Sequence, residues 1–257
     1  TDQQKKTLTL REVLTPEQMP KTPCTLPWRR LELHEGGSFG PCCAEYMSER
    51  ERAAPDADLP SLWNGPMLSR FRLALSGEGH PETCRRSCPV LSGGLERPEE
   101  LTIYGGPRAS VENQIRMIQS LIEGRTELDS TPVQLNVATT SFCNYDCLMC
   151  DCGARGTLDD QKTKAFYDSL SPWLDTLVLF DANGGEPLAS PEFCAFLDGL
   201  GARGRAQLGF HLTTNGSYLT PAQLAKVTSI RFAALTISLN AATPETYQDA
   251  VSYTHLR

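Results

Sequence analysis

Ten cysteines stand in 257 residues, and their spacing is the part of the sequence most able to do chemistry. They fall into two groups: Cys24, Cys42, Cys43, Cys84 and Cys88, then Cys143, Cys147, Cys150 and Cys152, with Cys194 by itself. No charged-then-apolar stretch near Thr1 reads as an export signal, so the expected compartment is the cytoplasm. There, clustered cysteines are metal ligands more often than disulfides. Two metal sites are therefore expected. In Cys143-x3-Cys147-x2-Cys150 three thiolates can each hold one iron of a cubane, and a fourth iron without a protein thiolate stays open for another ligand. The alternative is a zinc knuckle closed by Cys152, although zinc ligands usually come as two Cys-x2-Cys or Cys/His pairs.

Three further segments carry groups suited to a ligand. In Asn183-Gly184-Gly185-Glu186-Pro187 two glycines let backbone carbonyls come close to a bound molecule, and Glu186 can accept from an ammonium group. By itself such a run is more often a plain turn. Thr213-Thr214-Asn215-Gly216 and Ser238-Leu239-Asn240 each end an apolar run with hydrogen-bonding side chains, and a turn role competes with a ligand role at each. His211 alternates into a strand and reads as a satisfied core residue. Cys194, between Phe193 and Phe196, reads as a small buried apolar group on a helix.

The elements that must position these residues are legible from residue 133 onward. Short apolar runs alternate with helical stretches, with strands expected at about 133–139, 176–182, 207–213 and 235–240, the pattern of parallel βα units. Ser190-Pro191, Thr220-Pro221 and Thr243-Pro244 each place a capping hydroxyl before a proline at the first helical position. The three-cysteine run follows the first of these strands, in a loop at its carboxyl end, where parallel α/β folds carry their chemistry. Upstream, Arg30 to His34 and the Glu35-Gly36-Gly37 that follows suggest a hairpin leading to Pro41-Cys42-Cys43. Ser110 is expected to cap a helix with Val111, Ile115, Ile118, Leu121 and Ile122 on one face, closed by Gly124. The segment from Cys24 to Cys88 is rich in Pro, Gly and Arg, and a metal is the usual staple for so small a module.

Cys143-x3-Cys147-x2-Cys150 resembles the cluster motif of the radical S-adenosylmethionine (SAM) superfamily, over about residues 133–257. The resemblance implies an α/β fold, a partial (β/α) TIM-like barrel, with a 4Fe-4S cluster on Cys143, Cys147 and Cys150 whose open iron binds SAM. It places Met149, where the family often has an aromatic residue, over the adenine. Gly184, Gly185, Glu186 and Pro187 would receive the amino end of SAM, and Thr214, Asn215, Ser238 and Asn240 would hydrogen-bond its carboxylate and ribose. No side chain is given a catalytic role of its own. The barrel is expected to be cut short after about four βα units at Arg257, as a fragment of a longer protein.

Cys24-Thr25-Leu26-Pro27-Trp28, Gly37, Pro41-Cys42-Cys43, Leu62-Trp63-Asn64-Gly65, Arg70 and Cys84-x3-Cys88-Pro89 resemble a SPASM-type auxiliary-cluster module. In the family that module follows the barrel; here it precedes it. The implied ligands of a second 4Fe-4S cluster are Cys24, Cys42 (with Cys43 as its alternative), Cys84 and Cys88, and zinc on the same cysteines is the competing reading. The expected organisation is a SPASM-like domain over 20–91, a linker and helix over 92–132, and the radical SAM core over 133–257. The implied partners are a peptide or protein substrate and a reducing electron donor such as flavodoxin or ferredoxin. A small-molecule substrate such as a sugar, or a non-catalytic metal-binding or electron-transfer module, are the alternatives.

Twenty-four basic against thirty-one acidic residues give a net charge of -7. That balance supplies no broad electropositive surface, so neither nucleic acid nor an anionic membrane is an expected partner.

Overall fold

In the computed structural model the described residues are 7–34, 38–43, 51–52, 59–77, 82–91, 97–150, 160–202, 208–227 and 230–252. The chain divides into two compact units. Thr1–Leu33, Gly37–Leu135 and Pro172–Val178 form the first; His34–Gly36, Asn136–Ser171 and Leu179–Arg257 form the second.

In the first unit β1 (Thr7–Thr9) leads directly into the short helix α1 (Leu10–Val13), and α2 (Leu26–Arg29) leads directly into β2 (Arg30–Leu33). Strand β2 pairs antiparallel with β3 (Ser38–Gly40), Leu33 opposite Phe39, as the alternating pattern requires, and β4 (Glu51–Arg52) pairs with the far edge of β3. The turn expected at 35–37 lies outside the described residues. Helices α3 (Leu59–Trp63) and α4 (Pro66–Ser76) follow, α4 opening on a proline at its first position and burying Met67, Leu68, Phe71 and Leu75 along one stripe. Strand β5 (Thr102–Tyr104) pairs antiparallel with β1.

The next helix departs from its expected form. Helix α5 (Arg108–Ile122) begins after Pro107, and Ser110 is no cap: it is buried one turn in, its hydroxyl donating to the Thr176 carbonyl at 3.4 Å. Ile115 and Ile122 are 47% and 39% exposed, whereas Asn113, Gln114 and Met117 are buried. Two side-chain amides rotate the helix to this face. Asn113 exchanges both of its hydrogen bonds with the backbone of Thr131, and Gln114 does the same with Tyr104. Paired amides lose little on burial, so they take the place of Ile115 and Ile122, while Ile118 and Leu121 are buried as expected. Gly124 ends the helix at φ +63°, as expected of a glycine in that position.

The second unit is a run of strands alternating with helices. In chain order these are β6 (Gln134–Ala138, its first two residues counted with the first unit), β7 (Asp146–Cys147), α6 (Asp160–Ser169), β8 (Leu179–Asn183), α7 (Pro191–Ala202), β9 (Gly209–Thr214), α8 (Pro221–Val227), β10 (Phe232–Ile237), α9 (Pro244–Ala250) and β11 (Val251–Ser252). Strands β8, β9 and β10 are parallel neighbours, Phe180 beside Phe210 and Leu212 beside Leu235, with β6 on the other side of β8. The expected hydroxyl caps are in place: Ser190, Thr220 and Thr243 each accept from the backbone N–H three residues on.

Phe180, Ala182, Phe210 and Leu212 are fully buried, and Phe180 stacks on Phe210 at 5.1 Å between ring centres, with Phe193 at 5.9 Å from Phe210. Because side chains alternate along a strand, Asp181, Asn183, His211 and Thr213 fall on the opposite face, so one face of the sheet is a hydrocarbon core and the other is polar. Chain and sheet together make a mixed α/β fold. Among the described residues no helix is long and apolar enough to cross a membrane.

Candidate metal centres

Where β6 ends, the chain is tied down before it reaches its cysteines. The N–H and hydroxyl of Thr139 both donate to the Asn183 carbonyl, at 2.8 and 3.0 Å, and Thr140 accepts from the N–H of Phe142 at 3.0 Å. Cys143 follows. Its sulfur accepts from the Tyr145 N–H at 3.5 Å and from the side-chain amide of Asn215 at 3.7 Å. Cys147 lies in β7, paired antiparallel with Val251 of β11, and its sulfur accepts from the Asn240 amide at 3.8 Å. The Cys150 N–H closes a turn onto the Cys147 carbonyl at 3.0 Å.

The three cysteines expected together thus lie in one loop, held by the pairing of β7 with β11 and by the Leu148 N–H on the Ala250 carbonyl, and two asparagines beyond the ends of β9 and β10 reach its sulfurs. Burial pushes the Cys143 thiol up, while the Tyr145 and Asn215 donors pull it back. Burial likewise raises Cys147, and the nearby Cys143 and Cys150 add to it. Leu148 and Met149 project from the loop, 81% and 64% exposed, so the residue expected over the adenine stands at the surface of the chain beside the cysteines. Cys152 lies outside the described residues.

The Gly-Gly-Glu-Pro segment packs against this loop from β8. Gly184 has φ +109°, and a Cβ there would come within 2.6 Å of the Thr140 carbonyl; a Cβ on Gly185 would overlap the Phe142 carbonyl. The N–H groups of Gly185 and Glu186 donate to those same two carbonyls, at 2.6 and 2.8 Å. Both glycines are therefore demanded by backbone meeting backbone.

Glu186 is fully buried. Its carboxylate accepts from the Thr214 hydroxyl at 2.7 Å, the Asn215 N–H at 2.8 Å and the Leu188 N–H at 3.2 Å. Burial raises its pKa, and these three donors oppose the rise. Pro187 opens a single buried turn, Pro187–Ala189. Thr214 is buried with its hydroxyl turned to Glu186; Ser238 is half-buried, its N–H donating to the Thr214 carbonyl at 2.9 Å. Of the groups expected on SAM, Glu186 and Thr214 thus brace β8 to β9, and the side-chain amides of Asn215 and Asn240 reach cysteine sulfurs.

The polar sheet face holds a group that sequence reading set aside. His211 Nδ1 lies 2.8 Å from Asp181 Oδ1, and its Nε2 lies 2.9 Å from the Thr236 hydroxyl, so three neighbouring strands are linked across one ring. The ring is 28% exposed rather than enclosed in a core. The signal was present as an alternation: Asp181 and Asn183 are out of phase with Phe180 and Ala182, as His211 and Thr213 are with Phe210 and Leu212.

In the first unit Cys24, Cys42, Cys84 and Cys88 line one cavity of about 220 Å³, walled by Leu26, Phe71 and Leu75. Cys24 and Cys88 are buried. Burial raises the Cys42 thiol strongly, and Cys24, Glu32, Cys84 and Cys88 nearby raise it further, whereas Cys43 also touches the cavity but is exposed, its carbonyl accepting from Cys42. Arg30 lines the cavity too. Its terminal nitrogen pairs with Glu32 at 2.6 Å, and its Nε–H is buried with no hydrogen-bond partner among the described residues.

Arg70 is exposed; the arginine that organises this unit is Arg72, which sequence reading passed over. Fully buried, it donates to the carbonyls of Pro27, Trp63 and Thr126 at 2.8–2.9 Å and to Asn64 at 3.2 Å, with its guanidinium 4.6 Å from the Trp63 ring centre. It fixes α2, the element next to Cys24, against α3 and α4. Among the described residues no three His, Cys, Asp or Glu side chains close around a single metal ion. No protein-family model matches the chain, and no curated sequence is significantly similar to it.

Proposed function

We propose that the protein is a radical SAM enzyme, with a 4Fe-4S cluster on Cys143, Cys147 and Cys150 and an auxiliary cluster on Cys24, Cys42, Cys84 and Cys88. The observation that carries the reading is the loop of three cysteines at the carboxyl end of β6, with N–H donors directed at two of its sulfurs and the Gly-Gly-Glu-Pro segment packed on its base. Donors aimed at sulfur suit thiolates, which a cluster requires, better than neutral thiols. When bound and reduced, the cluster supplies the electron that cleaves SAM to methionine and a 5′-deoxyadenosyl radical, which takes a hydrogen atom from substrate.

The chain's part is placement. Thr139, Thr140 and Phe142 hold the start of the cysteine loop on β8, and Glu186 locks β8 to β9, so the loop has little freedom to spread. The exposed Leu148 and Met149 offer apolar surface beside the cluster for the adenine. The polar face around Asp181, His211 and Thr236 suits a substrate rich in hydrogen-bonding groups. The SPASM likeness of the first cysteine group supports a peptide or protein as that substrate, and the parallel order of β8, β9 and β10 suits a partial TIM-like barrel.

The auxiliary site is supported by a separate observation. Zinc draws four ligands to about 2.3 Å from one atom, whereas a cubane hangs each thiolate on a different iron and needs a cavity between them. Four thiols lining a cavity of about 220 Å³ support the second arrangement. The buried Nε–H of Arg30 on the same wall, without an acceptor among the described residues, is a donor suited to a further acceptor in the cavity.

Iron, zinc and acid-labile sulfide counted per chain after anaerobic purification test the reading, with a Cys143/Cys147/Cys150→Ala triple variant alongside. The expected result is about eight irons and as many sulfides, falling by half in the variant. Stoichiometric zinc without sulfide, lost in the variant, would overturn it.

A further inference from the structure

We infer that Asn215 and Asn240 are hydrogen-bond donors to the cluster thiolates of Cys143 and Cys147 and raise the reduction potential of the cluster held there. The inference rests on the radical SAM reading above and departs from it in one respect: these asparagines serve the sulfurs, not the carboxylate or ribose of SAM.

The orientation of the Asn215 amide is fixed by its own neighbours. Its oxygen accepts from both the N–H and the hydroxyl of Ser217, at 2.9 and 2.6 Å, so its nitrogen must face the other way. There it donates to Asn144 Oδ1 at 2.9 Å and to Cys143 Sγ at 3.7 Å, a length set by the large radius of sulfur. Asn144 is tied in turn to the Ser217 hydroxyl at 3.0 Å, and the Asn215 main chain is pinned to Glu186. The donor to Cys143 is thus preset by a closed set of bonds. Asn240 approaches Cys147 from the end of a different strand, β10, at 3.8 Å, so two of the three thiolates receive an amide from independent elements.

Reduction adds one electron, and the extra negative charge spreads onto the sulfurs, with no bond made or broken and no proton moved. An N–H directed at a ligating sulfur stabilises the reduced form more than the oxidised form, so each donor raises the potential and its removal lowers it. Neither asparagine titrates, so the effect is independent of pH across the neutral range.

The test is a potentiometric titration of the chain with dithionite, followed by electron paramagnetic resonance in the absence of SAM. It compares wild type with Asn215→Ser, Asn240→Ala and the double variant. Ser at 215 keeps an acceptor for the Ser217 turn, and Asn240 is exposed and outside the Glu186 network, so at least one variant leaves the loop's support intact. Each single variant is expected to make reduction about tenfold harder, 59 mV for a one-electron couple, with the two effects adding in the double variant and iron and sulfide content unchanged. An unmoved potential at full iron content overturns the inference, and more so if SAM affinity falls at the same time. Loss of iron in Asn240→Ala also overturns it, since the residue then holds the loop rather than tuning the cluster. If wild-type iron is indifferent to the Cys143/Cys147/Cys150→Ala change, the radical SAM reading itself falls, and the inference with it.

Discussion

Single atoms decide several features of this protein. A methyl group on Gly185 would drive into the Phe142 carbonyl, one residue before Cys143. Gly185→Ala is therefore expected to remove iron from the three-cysteine site while leaving the amino-terminal site loaded, so iron per chain drops by about half, as a cubane holds four irons. Arg72 is the corresponding residue in the first unit. Burial pulls its guanidinium down to about 9, leaving it charged at neutral pH, and four carbonyl-type acceptors and the Trp63 ring replace the water it has lost. Lysine cannot span that fan of acceptors. Arg72→Lys is expected to cost about 3 kcal/mol of unfolding free energy, read from the shift in a urea midpoint, because several buried carbonyls lose their partner.

The strands and helices show which kinds of sequence signal can be trusted. The hydroxyl–proline pairs at Ser190, Thr220 and Thr243 mark helix starts because capping is local: the donor lies three residues from its acceptor. The β2–β3 pair and the existence of β8, β9 and β10 as strands follow from local alternation in the same way. Helix α5 does not, since its buried face is set by Thr131 and Tyr104, the first 18 residues from its partner Asn113 in the chain and the second across a turn from Gln114. Asn113→Ala would leave the Thr131 N–H and carbonyl unmatched. The expected loss is about 2 kcal/mol by chemical denaturation, with Ile115→Ala, on the exposed side, costing well under 1 kcal/mol.

The candidate site divides along the same line. Cysteine spacing made the candidate ligands visible, and the two glycines were visible as glycines. That Glu186 would turn inward to Thr214, Asn215 and Leu188, and that His211 would bridge Asp181 and Thr236, depended on which strands became neighbours, and no run of residues records that. The aromatic layer beneath is conventional by comparison. Phe210→Ala, which removes a ring touching Phe180 and Phe193, is expected to cost about 3–5 kcal/mol, measurable as early melting of the β8–β10 region by hydrogen exchange.

On the scale of the molecule, each of the two units has its own cysteine group, and they differ in how the sulfurs meet the outside. In the first unit Cys24 and Cys88 are each 8% exposed and face a walled cavity; in the second, Cys150 is exposed and flanked by Leu148 and Met149 at 81% and 64%. Dioxygen reaches such sites by diffusion, and attack on a cluster begins where its edge is bare. A preparation handled in air should therefore not bleach evenly. If the chain holds both clusters of the proposed reading, the colour that fades first is expected to be that of the three-cysteine centre, where Cys150 is exposed, and the colour that persists that of the centre with the buried Cys24 and Cys88, so a preparation kept in air would stay brown after the exposed centre is lost.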